Sequence, residues 1–372
     1  NGPVLSDVHT VKIFTTSGGA APVLETKNSV QIYDISNNRY DASLNTMPTP
    51  RADGVTAVTG TKIYTIGGYD ASLNISDAVE IFDTADNSWT SSKTSANGVT
   101  YVSGLTMPTA RKSMAGVIFE YSGVDTSYGQ NYRNPQRVVV IGGDLSGNFA
   151  NVIEILDMSN NTWVSSSSST SVYTNKITSL SLGVGKCSAQ TDASGNIYIF
   201  DVSSVKFYIP GHQYLAIDNN ASDWSNKVQT YDPSANTWTT SGLTAMPSKR
   251  GWGASAITSE WWRIWAIGGQ GTDLSNNDYS DYVERYDTIA NAWVRDTNHG
   301  GVHEPLPTRR RAMGGVAKDF DVYVMGGTDG SNNYHSTMEI YDTQNKTWKS
   351  SNSSTNQYIY DAKTPSMATG RN

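Results

Sequence analysis

Six times along this 372-residue chain a glutamate or glutamine within a short apolar run stands nine positions ahead of an aromatic residue. The pairs are Gln31–Tyr40, Glu80–Trp89, Glu154–Trp163, Gln229–Trp238, Glu284–Trp293 and Glu339–Trp348. Each encloses a short apolar–aromatic run closed by aspartate: VQIYD, VEIFD, IEILD, VQTYD, VERYD and MEIYD. A short motif repeated at fixed internal spacing demands a fold assembled from like units. Within each copy the pattern predicts a strand, a turn built by Asp and Asn, and a return strand opened by the aromatic.

Two further elements precede each copy. One is an apolar strand ending in paired glycines: KIYTIGG to Gly68, RVVVIGG to Gly143, RIWAIGG to Gly269 and DVYVMGG to Gly327. The first unit offers KIFTTSGG, one residue out of register, and the fourth reads NIYIFD with Phe200-Asp201 in place of glycines. Paired glycines permit positive φ and close backbone approach where a strand leaves its sheet. The other element is a run of small and apolar residues such as DGVTAV, GWGASAI and AMGGVA. A Pro-x-x-Arg pattern introduces it at Pro48–Arg51, Pro108–Arg111, Pro247–Arg250 and Pro307–Arg310. Each unit thus reads as four antiparallel strands that cannot bury their faces alone. Radial stacking of several units buries them, which is the logic of a β-propeller.

The double glycine, the Tyr-Asp pair and the Trp at this spacing resemble the Kelch motif. That resemblance implies an all-β, six-bladed propeller in a single domain, with blades over approximately 1–50, 51–110, 111–185, 186–249, 250–309 and 310–372. Met367-Ala-Thr-Gly-Arg371 is similar to Met47-Pro-Thr-Pro-Arg51, so the last blade is expected to hand over to the first without a shared sheet.

In Kelch-like propellers the connections after the double glycine and those entering the next blade share one face, where partners commonly bind. The candidate binding residues follow from that face: Tyr69, Arg51, Arg111, Arg250, Trp252, Arg310, Tyr334 and His335. The long 202–226 connection of the fourth unit adds Tyr208, His212, Tyr214 and Trp224. Long loops held on a rigid scaffold often carry function, although this one reads equally as a lid packing its aromatics on a neighbour. The arginines admit two readings. As a ring of guanidinium groups they could hold an acidic peptide or a carboxylated sugar. As structural ties they would bond loop carbonyls or the acids of the motif, and this second role is favoured for most of them. A third-unit insertion at 120–137 carries three tyrosines that could form a contact surface on the opposite face.

Net charge −7 argues against nucleic acid and anionic membrane as partners, and no stretch approaches a membrane span. The single cysteine, Cys187, falls in the expected first strand of the fourth unit and excludes an internal disulfide or a multi-thiolate metal site. Low Lys with plentiful Ser, Thr, Asn and Tyr leans towards an extracellular or cell-surface setting. The sequons at Asn74, Asn160, Asn220, Asn345 and Asn352 are too readily met by chance in so Asn-rich a chain to add to that.

No catalytic centre is legible. A copper oxidase site of the galactose oxidase kind needs two histidines and a Tyr–Cys cross-link, whereas His9, His212, His299, His303 and His335 are scattered around a lone cysteine. Calcium could be held by oxygen atoms of Asp273–Asp278 or Asp329–Asn332, which are equally ordinary turn residues. The leading expectation is a non-enzymatic propeller that binds a protein or glycan through its loop face, or serves as a structural module of an extracellular assembly. The alternatives are a sugar-modifying enzyme using the central channel and an adaptor propeller of a larger intracellular protein.

Overall fold

The computed structural model describes residues 44–70, 72–120, 136–146, 149–167, 226–232, 237–239, 241–258, 262–271, 279–329 and 333–351. It also describes strands at 12–15, 31–34, 39–41, 124–125, 132–133, 188–191, 197–200 and 359–360, and the single residues 28, 30 and 366. The arrangement is all-β and propeller-like. The second unit runs Val55–Thr59, Lys62–Ile66, Val79–Asp83 and Ser88–Ser91, each strand pairing antiparallel with the next. The third repeats this with Ala115–Glu120, Gln136–Ile141, Ile153–Asp157 and Thr162–Ser165. The fourth uses Ser188–Thr191, Ile197–Phe200, Val228–Asp232 and Thr237–Thr239. Ala254–Ile257, Arg263–Ile267, Val283–Asp287 and Ala292–Val294 form the fifth. Arg311–Lys318, Asp321–Thr328, Met338–Asp342 and Thr347–Ser350 form the sixth. In the first unit three strands are described, Lys12–Thr15, Gln31–Asp34 and Arg39–Asp41.

Two units exceed the expected four strands. Thr100–Tyr101 and Ile359–Tyr360 each run parallel to the outermost strand of their sheet. The long outgoing connection doubles back along that strand and occupies backbone groups an open edge would leave unpaired. The third-unit insertion forms a two-stranded ribbon, Val124–Asp125 with Tyr132–Arg133.

The fixed spacing is a hairpin register. Asp83, Asp157, Asp287 and Asp342 each turn a carboxylate oxygen onto backbone N–H groups of the turn that follows. The last turn residue is left-handed in each case: Asn87 (φ 59°), Asn161 (58°), Asn291 (50°) and Lys346 (60°). The turn sets the aromatic partners opposite one another, Phe82 on Trp89, Tyr286 on Trp293 and Tyr341 on Trp348, with ring centroids 4.9, 5.0 and 4.8 Å apart. Each indole N–H then reaches a carbonyl of the connection entering its unit. Trp89 donates to Asn45, Trp163 to Leu105, Trp293 to Thr244 and Trp348 to Glu304, at 2.8–3.0 Å.

The core lies between sheets rather than within one. Val55, Ile66 and Val79 of the second unit pack with Met114, Val140 and Leu156 of the third. Trp265 and Val283 of the fifth pack with Val324, Tyr341 and Trp348 of the sixth. The first strands of the second to sixth units lie side by side in chain order. Glycine is required at this seam. At Gly68 (φ 97°) a Cβ would fall 2.3 Å from the Ala52 carbonyl oxygen, and Gly269 (φ 105°) stands in the same relation to Gly251.

A buried ion pair fastens each of four units. Arg51 binds Glu80 at 3.1 Å and Arg111 binds Glu154 at 2.7 Å; Arg250 binds Glu284 and Arg310 binds Glu339 in the same way. A hydroxyl two residues before each arginine (Thr49, Thr109, Ser248, Thr308) donates to the same glutamate. The guanidinium groups also donate to strand carbonyls, Arg111 to Gly142 and Val152 and Arg310 to Gly326. The arginine's own carbonyl serves the preceding unit: Gly68 N–H donates to Arg111 and Gly269 N–H to Arg310, both at 2.9 Å. Four residues upstream, the backbone N–H of Met47, Met107, Met246 and Leu306 donates to Asn28, Asp77, Asn226 and Asp281 of the unit before.

Burial works against charge on both members of such a pair. It pulls the Arg51 guanidinium down and pushes the Glu80 carboxyl up, and their mutual attraction opposes both shifts. Removing one partner therefore strands the other. Arg111→Met is expected to cost about 3–5 kcal/mol in urea unfolding. Adding Glu154→Gln, which recreates the amide found at Gln229, should recover a substantial part of it. A double variant less stable than Arg111→Met alone would refute the ion-pair account.

Candidate functional site

Above the paired glycines the second, third, fifth and sixth units continue into a small crown. The residue after the clasp arginine bridges the residue after the second glycine: Ala52 to Tyr69, Lys112 to Asp144, Gly251 to Gln270 and Arg311 to Thr328. That residue in turn bridges the returning loop, Tyr69 to Ile75, Asp144 to Phe149, Gln270 to Tyr279 and Thr328 to Tyr334. One position further on, Asp53 (φ 59°), Ser113 (54°), Trp252 (54°) and Ala312 (54°) are all left-handed without being glycine. Ser113 N–H donates to the Asp53 carbonyl and Ala312 N–H to that of Trp252, so these residues link neighbouring units around the mouth. Left-handed backbone costs a non-glycine residue of the order of 1 kcal/mol, and such strain gathers where function needs a fixed geometry.

Four of the expected site residues do not reach this mouth. Arg51, Arg111, Arg250 and Arg310 are no more than 3% exposed, and each is committed to a glutamate and to strand carbonyls. A ring of free guanidinium groups is therefore corrected to a set of internal clasps, because each arginine is needed to neutralise a carboxylate the sheet has buried. Tyr69, Trp252, Tyr334 and His335 do lie in the crown, half-buried. Burial pushes the Tyr69 hydroxyl up to about 12, with Asp53 and then Tyr334 adding to the rise. His335 donates its backbone N–H to Gly327, and its Nε2 lies 3.7 Å from Asp329. Tyr208, His212, Tyr214, Trp224 and Cys187 lie outside the described residues.

Two cations stand at the mouth that the repeat pattern alone did not single out. Lys112 lies over the Tyr69 ring, 5.3 Å from its centroid, and 3.8 Å from an Asp144 oxygen. Arg311 lies over Trp252 at 4.4 Å and Tyr279 at 5.0 Å, and donates to the Gln270 side-chain oxygen. A signal was present in the sequence. The positions just after each Pro-x-x-Arg change character from unit to unit, Ala52-Asp53, Lys112-Ser113, Gly251-Trp252 and Arg311-Ala312, while the arginine before them stays fixed.

Of the two calcium candidates, the Asp329 carboxylate caps its own loop by accepting from the Asn333 backbone and side chain, and Asp273–Asp278 lies outside the described residues. Asp70 and Asn74 form the same cap in the second unit. Among the described residues no group of three or more His, Cys, Asp or Glu is placed to hold a metal ion.

A family model of the Kelch motif matches residues 50–94 and 309–354. The two windows contain the Arg51–Glu80 and Arg310–Glu339 clasps and the paired Trp89 and Trp348. The chain therefore carries Kelch motifs in its second and sixth units. No curated protein matches it.

His303 belongs to a Kelch seam rather than to the mouth. It is 1% exposed, with Nδ1 3.0 Å from the Tyr341 hydroxyl and its ring edge-on to Trp265 at 4.8 Å. Burial, then Arg285, Lys346 and Arg263, pull its pKa from 6.5 to about 3. The folded state therefore holds the neutral imidazole while the unfolded chain takes up a proton near 6.5. Its contribution to stability is intact above that pH and falls towards pH 3, by up to about 1.4 kcal/mol per unit. Unfolding free energies at pH 7, 6 and 5 should decline less steeply in His303→Phe than in wild type; identical slopes would refute the assignment.

Proposed function

We propose that this chain is a non-enzymatic binding module, closed as a ring of six blades, that captures a protein or glycan partner through the crown and its loops. The coarser part follows from the fold: Kelch propellers generally mediate protein binding, and this fold suggests a protein-binding module. The observation that carries the finer part is the convergence of Tyr69, Trp252, Tyr279 and Tyr334, from three units, on one mouth held by strained backbone. Aromatic side chains with a polar tip offer large contact area at low entropic cost, and interfaces favour them. The 202–226 loop, with Tyr208, Tyr214 and Trp224, extends the same face in this reading. Six-blade closure is supported by the run of inner strands through consecutive units.

The proposal includes an extracellular or cell-surface setting, which rests on the Ser-, Thr-, Asn- and Tyr-rich composition. Among the described residues no helix is long and apolar enough to cross a membrane. To test the site, wild type and Trp252→Ala/Tyr334→Ala are screened against a glycan array and a displayed random-peptide library. The double variant should lose binding to the selected ligands by about tenfold or more at unchanged melting temperature. Equal retention by both proteins would overturn the site.

A further inference from the structure

The seam between the fifth and sixth units can be compared, position by position, with that between the second and third. Strand pairing sets Tyr64 opposite Ile81 in the second unit and Trp265 opposite Arg285 in the fifth. Leu156 opposite Trp163 likewise answers to Tyr341 opposite Trp348. The indoles of Trp163 and Trp348 donate to the carbonyls of Leu105 and Glu304, so Gly104 corresponds to His303. One seam gathers Tyr64, Ile81 and Leu156 into a hydrophobic cluster. The other carries Trp265, Arg285, His303 and Tyr341 at the corresponding places. The fold closes with aliphatic residues and glycine at three of these positions, so it does not call for the polar set.

That set leaves two donors unanswered. Trp265 and His303 are each 1% exposed, their rings edge to face with centroids 4.8 Å apart. Trp265 Nε1 and His303 Nε2 have no hydrogen-bond partner among the described residues. The imidazole tautomer follows from its neighbours. The Glu304 backbone N–H donates to the Tyr341 oxygen, which leaves the hydroxyl proton for His303 Nδ1, 3.0 Å away. The imidazole proton is therefore on Nε2, and both orphan atoms are N–H donors. A buried donor without an acceptor is costly, and native interiors supply one. The charged groups that act on the imidazole are Arg285, Lys346 and Arg263, all of them cations. A water would answer the two donors but bring two of its own. A small anion is an acceptor only, and it suits the cationic surroundings.

We infer that the seam between the fifth and sixth units holds a small monovalent anion of chloride size, bound by the N–H groups of Trp265 and His303. Arg285, half-buried on the strand beside Trp265, supplies compensating charge. The site lies within the joint, away from the loop face, and does not depend on the binding-module reading. An ion there ties strand Arg263–Ile267 of one unit to the segment that enters the next. Its binding free energy therefore adds to the stability of that joint.

The test is thermal unfolding of the intact chain at pH 7 and constant ionic strength, with chloride replaced stepwise by the bulky anion gluconate. The wild-type melting temperature should rise by about 2 °C for each tenfold increase in chloride above half-saturation. Trp265→Phe and His303→Phe each keep a ring in the seam and remove one donor. Both should lose most of the chloride dependence, whatever their own stability. A wild-type crystal grown in bromide should show an anomalous peak within hydrogen-bond reach of Trp265 Nε1 and His303 Nε2. A wild-type melting temperature indifferent to chloride would overturn the proposal and give the two donors to an internal water. Chloride dependence retained in both variants would overturn it as well, by placing the ion elsewhere. If neither variant folds, the bromide crystal decides: a peak in the seam upholds the site, and its absence overturns it.

Discussion

The buried arginine–glutamate pair is the interaction on which the rest of this structure depends. Exchanged for apolar residues of similar volume, such a pair often costs nothing in stability, because desolvation consumes most of the attraction. Its value here is positional. The glutamate sits on the third strand, the arginine at the entry to the first, and the strand carbonyls it also satisfies lie between them. One side chain therefore fixes the point at which the chain turns from connection to sheet. The left-handed residue two positions later, and everything at the mouth, inherits its place from that fixture.

The fifth unit shows how far the fixture can be altered. Where Ser91, Ser165 and Ser350 of the outermost strands approach their glutamates, the fifth unit has Arg295, 3.3 Å from Glu284. Glu284 is thereby held between two guanidinium groups, both lying over the Tyr282 ring. The neighbouring Asp296 takes the backbone N–H of Val283, the task performed elsewhere by Ser92, Ser166 and Ser351. The geometry is conserved across the repeats while the chemistry that fills it varies.

Much of the fold was legible because its information is local. The nine-residue interval encodes a hairpin, and the aspartate and the left-handed Asn that build its turn lie inside the interval. The paired glycines mark the point where a neighbouring backbone comes too close for a Cβ. The role of the arginines could have been read more sharply: the fourth unit, with Gln229 in place of glutamate, has no arginine in its entering segment 170–187, so there carboxylate and guanidinium are absent together. The parallel fifth strands were not legible, since a two-residue strand carries no periodicity and its pairing is decided by where a long connection happens to return. The mouth was read only in part. Tyr69, Trp252 and Tyr334 follow from the repeat, whereas Arg311 and Lys112 become visible once the sheets bring successive entries into register. The 202–226 loop falls outside the described residues and stays an expectation of the sequence.

The double service of each clasp arginine has a consequence for modularity. Its side chain belongs to one sheet and its carbonyl to the sheet before, as the Gly68 to Arg111 and Gly269 to Arg310 bonds show. The boundary of the repeated sequence and the boundary of the physical module therefore do not coincide. Excising one sequence repeat removes half of two joints, and a graft between such chains stays in register only if it carries the entering segment together with the glycines it meets. The unit of inheritance in this architecture is the joint, and the sheets are what the joints hold apart.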